Sequence, residues 1–163
     1  MTPAPHPHPH PHPYRPPRTA QRGVATIELA LLSTLLMSLM LGAAEFGRAM
    51  YQYNTVVKGT RSAVRYLSAY APGNTAAATA ATNLVVYGTT TTGNTPLVPG
   101  LTRGMVGVKD AANDTRHDLE QTGRGAIDLV TVTVSGLTFE PLASWLLPAF
   151  TFAPISATMR QGV

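Results

Sequence analysis

From Gly23 to Ala44 the chain reads GVATIELALLSTLLMSLMLGAA, and no charge occurs between Leu29 and Ala44. The polar residues in that run are Ser33, Thr34 and Ser38; a helical hydroxyl can bond back to the carbonyl four residues earlier, which makes it tolerable in lipid. A bilayer is crossed by about 20 apolar residues at 1.5 Å rise each, the length available from Val24 onward. The stretch predicts a membrane-spanning helix, and everything else in the chain must be arranged around it. Glu28 breaks the pattern at its leading edge. An ionised carboxylate costs roughly 2.5–3.5 kcal/mol at the bilayer centre and less near the interface. Either Glu28 lies at headgroup level, or its charge is kept for a specific partner.

The remainder of the 163 residues suffices for one small domain. The formal charge is +4, from 12 Lys and Arg against 8 Asp and Glu. Arg15, Arg18 and Arg22 all precede the span without an accompanying acid, so the basic balance describes the leader and gives no reason to expect a nucleic-acid partner. Cysteine is absent, which excludes disulfides and thiolate metal sites.

Residues 1–23 form a leader in which His and Pro alternate from His6 to Pro13, with Pro16 and Pro17 following. Proline at every second position removes donors and fixes φ, leaving polyproline II or disorder. Alternate imidazoles of such a strip point in different directions, so the four histidines make no preformed metal site.

Beyond the span, Phe46, Met50, Tyr53, Val57, Thr60, Val64 and Leu67 recur at spacings of 4, 3, 4, 3, 4 and 3. That is an apolar stripe along one helix face. Arg48, Gln52, Thr55, Lys58, Arg61 and Arg65 fall largely on the other side, and Gly47 and Gly59 each lower helix propensity by about 1 kcal/mol. The first breaker is Ala71-Pro72-Gly73-Asn74, so one helix is expected from Thr26 to Ala71, spanning over residues 24–45 and amphipathic over 46–71. The alternative is a separate second helix after a kink near Gly47.

Residues 72–163 must cover the stripe. Thr75 to Val86 is alanine-rich and suits a short helix; Gly88 to Gly100 reads as irregular loop. Gly104 to Lys109 is a candidate strand, and Asp110 to Gly125 is polar and expected to be exposed. Ile127 to Ser135 is the clearest strand, rich in β-branched residues. Phe150 to Met159 is a second, with Pro154 marking an edge or bulge. Between these two strands, Trp145 and its apolar neighbours form either a core plug or an exposed docking patch. The predicted fold is α+β: a long N-terminal helix packed by a small antiparallel sheet.

Reaction chemistry is hard to find in this chain. His117, beside Asp114, Asp118 and Glu120, is the only histidine outside the leader. A nucleophile–base pair with a serine is conceivable, but no Gly-x-Ser-x-Gly elbow or metal-binding His pair accompanies it. The spacing of Asp110, Asp114, Asp118 and Glu120 departs from a calcium loop, and Arg116 and Arg124 offset their charge. No cofactor, metal or small-molecule substrate is expected, and the chain does not read as an enzyme.

Gly23-Val24-Ala25-Thr26-Ile27-Glu28 resembles the processing site of prepilin-type signal sequences, a glycine followed by a hydrophobic helix with Glu at its fifth position. The longer set comprises Gln21-Arg22-Gly23, Glu28, Gly42, Glu45-Phe46-Gly47-Arg48, Tyr51 and Arg61-Ser62-Ala63-Val64-Arg65-Tyr66-Leu67, with Ser156-Ala157-Thr158-Met159-Arg160 near the end. It resembles the TadE-like minor pseudopilins of tight-adherence (Flp-type) pilus systems. The resemblance covers Arg22 to Leu67 well and the C-terminal half in scattered places. It implies cleavage by a prepilin peptidase after Gly23, in front of the apolar helix, which then stays in the mature protein. Glu28 would pair with the new amine of Val24 or that of a neighbour. Glu45, Phe46, Arg48, Tyr51, Arg61 and Arg65 would serve assembly with other pilins or pseudopilins and with the pilus machinery. The implied location is the bacterial inner membrane, with Met1 to Arg22 cytoplasmic and the C-terminal domain outside; incorporation into the pilus is left open. Charge alone does not orient the span, since Arg48, Lys58, Arg61 and Arg65 follow it closely. The alternative function is that of an uncleaved single-pass periplasmic adaptor or sensor that recognises a ligand through the Trp145 patch.

Overall fold

The computed structural model describes Met1 and residues 19–117, 120–122 and 125–162. The His/Pro leader with Arg15 and Arg18, and also Asp118 and Arg124, lie outside the described residues, as do the side chains of Arg22 and Glu120. The element order is α1 (Thr19–Leu67), α2 (Thr75–Tyr87), β1 (Val106–Lys109), β2 (Glu120–Thr122), β3 (Gly125–Val134), β4 (Thr138–Phe139), β5 (Phe150–Thr151) and β6 (Ile155–Gln161). This is the expected α+β fold, a long apolar N-terminal helix and a small antiparallel sheet. The chain divides into two compact units, Met1–Leu39 and Met40–Val163.

In the first unit, the apolar part of α1 is exposed on all sides, Leu29, Leu32 and Leu36 among its outward residues. An 18-residue window of the helix reaches a mean hydropathy of 2.0 with none of it buried, so α1 is long and apolar enough to cross a membrane. Thr34 and Ser38 bond four residues back as expected, whereas Ser33 reaches only three residues back. Ser33 and Thr34 donate to the carbonyl of Ala30 at 3.0 and 2.8 Å, and Ser38 donates to that of Thr34 at 2.9 Å.

Helix α1 starts upstream of the expected Thr26, in keeping with a sequence free of proline from Arg18 to Ala71. It runs through Gly47 without a second helix beginning there, and it ends at Leu67, short of Ala71. There the bonding tightens: Ala69 and Tyr70 donate to the carbonyls three residues back, of Tyr66 and Leu67. Gly73 then takes a positive φ of 78°, and Asn74 caps α2 by accepting from the Ala77 N–H at 2.9 Å. The breaker motif thus both ends one helix and starts the next.

The second unit has one core. Val56, Ala63, Val64 and Leu67 of α1, Ala77, Ala81, Val85 and Val86 of α2, and Val130, Val132 and Val134 of β3 are buried in it, joined by Leu137 and Ile155. Strand β3 is central and every pairing is antiparallel. Residues Gly125 to Ile127 pair with β2, Thr131 to Val134 with β1, and Asp128 to Val134 with β6. The β4–β5 pair forms a separate two-stranded ladder. The expected strand from Phe150 to Met159 is divided: Phe152 donates its N–H to the Leu137 carbonyl at 2.9 Å, and Pro154 has no N–H to offer a ladder. Within the polar segment from Asp110, β2 is a strand, and Asp110 is buried where it accepts from the Gly73 and Ala112 N–H groups.

The buried stripe of α1 corrects the expected one. Its members are Glu45, Ala49, Gln52, Val56, Gly59, Thr60, Ala63, Val64 and Leu67. At its start this lies one residue ahead of the predicted series, so Phe46 and Met50 face outward and Gln52 faces in. Small residues are selected because α2 comes close. A methyl group on Gly59 would stand 3.2 Å from the Val85 carbonyl oxygen. Gly59, which lowers helix propensity, is where the two helices meet.

Candidate functional site

The first charged residue after the apolar run is Glu45, and it is 6% exposed. A buried carboxylate is costly unless it is paired and hydrogen-bonded. Arg48, one helical turn on, donates to Glu45 Oε2 from Nη2 at 2.8 Å and from Nε at 3.2 Å. The other carboxylate oxygen, Oε1, accepts the backbone N–H of Leu142 at 3.1 Å. Arg48 also donates to the Glu140 carbonyl, and its guanidinium carbon lies 4.4 Å from the centre of the Phe139 ring, within cation–π range. Glu45 and Arg48 therefore clasp the segment leaving β4 to the turn of α1 at which the apolar run ends.

An aromatic cluster adjoins the clasp. Phe139, Phe150 and Phe152 have ring centroids 5.2–6.3 Å apart, and Tyr53 reaches Phe152 at 5.9 Å. A cavity of about 270 Å³ opens beside it, between Arg48, Gln52, Pro99, Gly100, Met105, Thr138 and Glu140. That is under the size usual for ligand pockets, roughly 300–1,000 Å³.

Of the residues the sequence singles out, the structure brings Glu45 and Arg48 together. Phe46 is exposed, and Tyr51 lies exposed beside a groove shared with Lys58, Gly59 and Leu84. Arg61 and Arg65 are also exposed, Arg61 beside Tyr53, Val57 and Pro154. Gly23, Val24 and Glu28 lie on the exposed apolar part of α1, and a methyl group on Gly23 would meet nothing within 4 Å. Glu140, Leu142 and Phe139, which complete the clasp, are missed by sequence reasoning. An acid and an arginine three residues apart are neighbours on a helix, so the pair itself was legible, but its remote partner was not.

His117 has a different environment from the exposed loop expected. Its Nε2 lies 2.9 Å from Thr131 Oγ1, which is itself 2.7 Å from Thr158 Oγ1. Asp114 Oδ2 is 3.7 Å from Nδ1, beyond hydrogen-bond reach. Asp114 is held well below the usual carboxylate range, first by the Arg116 backbone N–H, then by the Lys109 ammonium and the Arg116 guanidinium. Its charge is committed to those donors. The Thr131 hydroxyl lies in a cross-strand pair, so the His117–Thr131 contact ties a loop to β3.

No curated protein and no solved structure matches the chain. Over residues 23–65, the segment that holds Gly23, Glu28, Glu45 and Arg48, the chain matches the family model described as TadE-like protein.

Proposed function

We propose that this chain is a membrane-anchored minor pseudopilin of a tight-adherence pilus assembly, cut by a prepilin peptidase after Gly23. The observation that carries this reading is a coincidence of position: the family match begins at Gly23, the glycine at the head of the apolar helix, with Glu28 five residues on. Residues 1–23 are the leader, 24–45 the span, 46–71 the helical continuation and 72–163 the extracytoplasmic domain. Without a side chain, Gly23 lets the backbone enter a narrow peptidase site. The cut leaves a cationic amine on Val24, and Glu28 offsets that charge in lipid, on the same chain or a neighbouring one. Small residues at Ala25, Ala30 and Gly42 allow close helix approach.

The Glu45–Arg48 clasp gives the domain a fixed attachment to the first turn of α1 past the apolar run, which suits a component whose helix is gripped by others in the membrane. The peptidase and the neighbouring pilins are the partners in this reading, and the inner membrane is the location. The test is Gly23→Val, co-expressed with the peptidase. Full-length precursor should accumulate; processing equal to wild type would remove the site.

A further inference from the structure

From Pro141 to Met159 the chain carries no acidic or basic residue. Near the start of this segment the backbone closes into a turn. The N–H groups of Leu146 and Leu147 donate to the Ala143 carbonyl at 2.9 and 3.1 Å, and Ala143 is buried. Yet Leu142 is 85% exposed and Trp145 73%. Two large apolar side chains are thus displayed by an ordered turn, when folding could have used them in the core. The Leu142 N–H bonded to Glu45 Oε1 fixes the level on α1 at which this turn begins. Glu45 directly follows Leu39-Met40-Leu41-Gly42-Ala43-Ala44, the end of the apolar run, and Phe46 beside it is 67% exposed.

We infer that the Pro141–Pro148 turn is a second membrane contact, with Leu142 and Trp145 entering the headgroup–acyl boundary of the bilayer that holds α1. The occupant follows from continuity: where the helix leaves lipid, the clasp sets the turn beside it. Tryptophan is the side chain suited to that depth, since its ring is apolar and its N–H wants a polar partner. Apolar groups at such interfaces sit roughly 5–10 Å into the boundary. A contact of this kind restrains rotation of the domain about the axis of α1 and presents a constant face to neighbouring subunits.

The inference rests on α1 being anchored in the membrane, and the experiment separates the two. Trp145 is the chain's single tryptophan, so its emission reports this turn alone. The full chain is reconstituted into vesicles of phosphatidylethanolamine and phosphatidylglycerol, carrying bromine either high or low on the acyl chains. Flotation with the vesicles reads anchoring. Loss of Trp145 emission, greater with the shallow bromines than with the deep ones, reads insertion, and Leu142→Asp should reduce that loss. A chain that does not float overturns both readings. A chain that floats but keeps its emission overturns the loop contact and leaves the anchor standing. Emission insensitive to bromine but increasingly shielded from aqueous acrylamide as the chain-to-lipid ratio rises also overturns it, in favour of a second copy on the patch.

Discussion

Glu45 Oε1 accepts the backbone N–H of Leu142 at 3.1 Å, across 97 residues of sequence. That bond joins α1 to the β4–β5 connection at the point where the apolar run gives way to the domain. Glu45→Ala would leave both Arg48 and the Leu142 N–H without their carboxylate. Hydrogen bonds to charged groups contribute about 1.5–3 kcal/mol, and the loss should fall in that range because Arg48 keeps the Glu140 carbonyl and some solvent. Glu45→Gln retains an acceptor for Leu142 and should lose less. Denaturant midpoints of the full chain in detergent micelles would measure both; equal midpoints for all three proteins would contradict the role given to the clasp.

Two glycines of α1 should respond to alanine in opposite ways. At Gly47 an added methyl meets nothing within 4 Å, so Gly47→Ala should gain most of the helix-propensity difference, about 1 kcal/mol. At Gly59 the methyl would approach the backbone of Val85 at 3.2–3.3 Å, and overpacking typically costs about 1–3 kcal/mol. The same denaturation midpoints should rise for the first and fall for the second. A rise at both positions would mean that α2 can retreat from α1.

The depressed Asp114 carboxyl sets an acid dependence. A group whose pKa is lowered by folding stabilises the fold above its unfolded value, about 3.9, and that contribution is lost as the pH falls toward the folded value. The wild-type midpoint should therefore decline below about pH 4, and Asp114→Asn should flatten that decline while lowering the midpoint near neutrality. Parallel pH profiles for the two proteins would show that Asp114 is not the source.

Glu28→Gln should give a split phenotype. In the proposed reading the amine of Val24 would arise only once the bond after Gly23 is cut, so processing and membrane insertion should persist. Removing one side of a buried pair costs roughly 3–5 kcal/mol, enough to disturb an assembly step, so co-purification with pilus components should fail. Normal co-assembly of this variant would make Glu28 a bystander at headgroup level.

What the sequence made legible followed from strong local signals. The apolar run of α1, the Ala71-Pro72-Gly73-Asn74 break and the β-branched alternation of β3 each specify an element with few competing conformations. Hydropathy misled where burial is decided by a distant surface. Phe46 and Met50 are more apolar than Glu45 and Gln52, yet the latter two are buried; the clasp satisfies Glu45 from a segment 97 residues away. Strand β2 is polar and three residues long, too short to show a period. The attachment of Leu142 to α1 depends on the Glu45–Leu142 bond, which no local pattern encodes.

The most direct measurement is the N-terminal sequence of the mature protein recovered from native membranes. A start at Val24 is the expected result of the proposed cleavage after Gly23, which would create the amine that the proposal pairs with Glu28. A protein that begins at Met1 in membranes containing active prepilin peptidase would contradict the pseudopilin reading and favour the uncleaved single-pass adaptor.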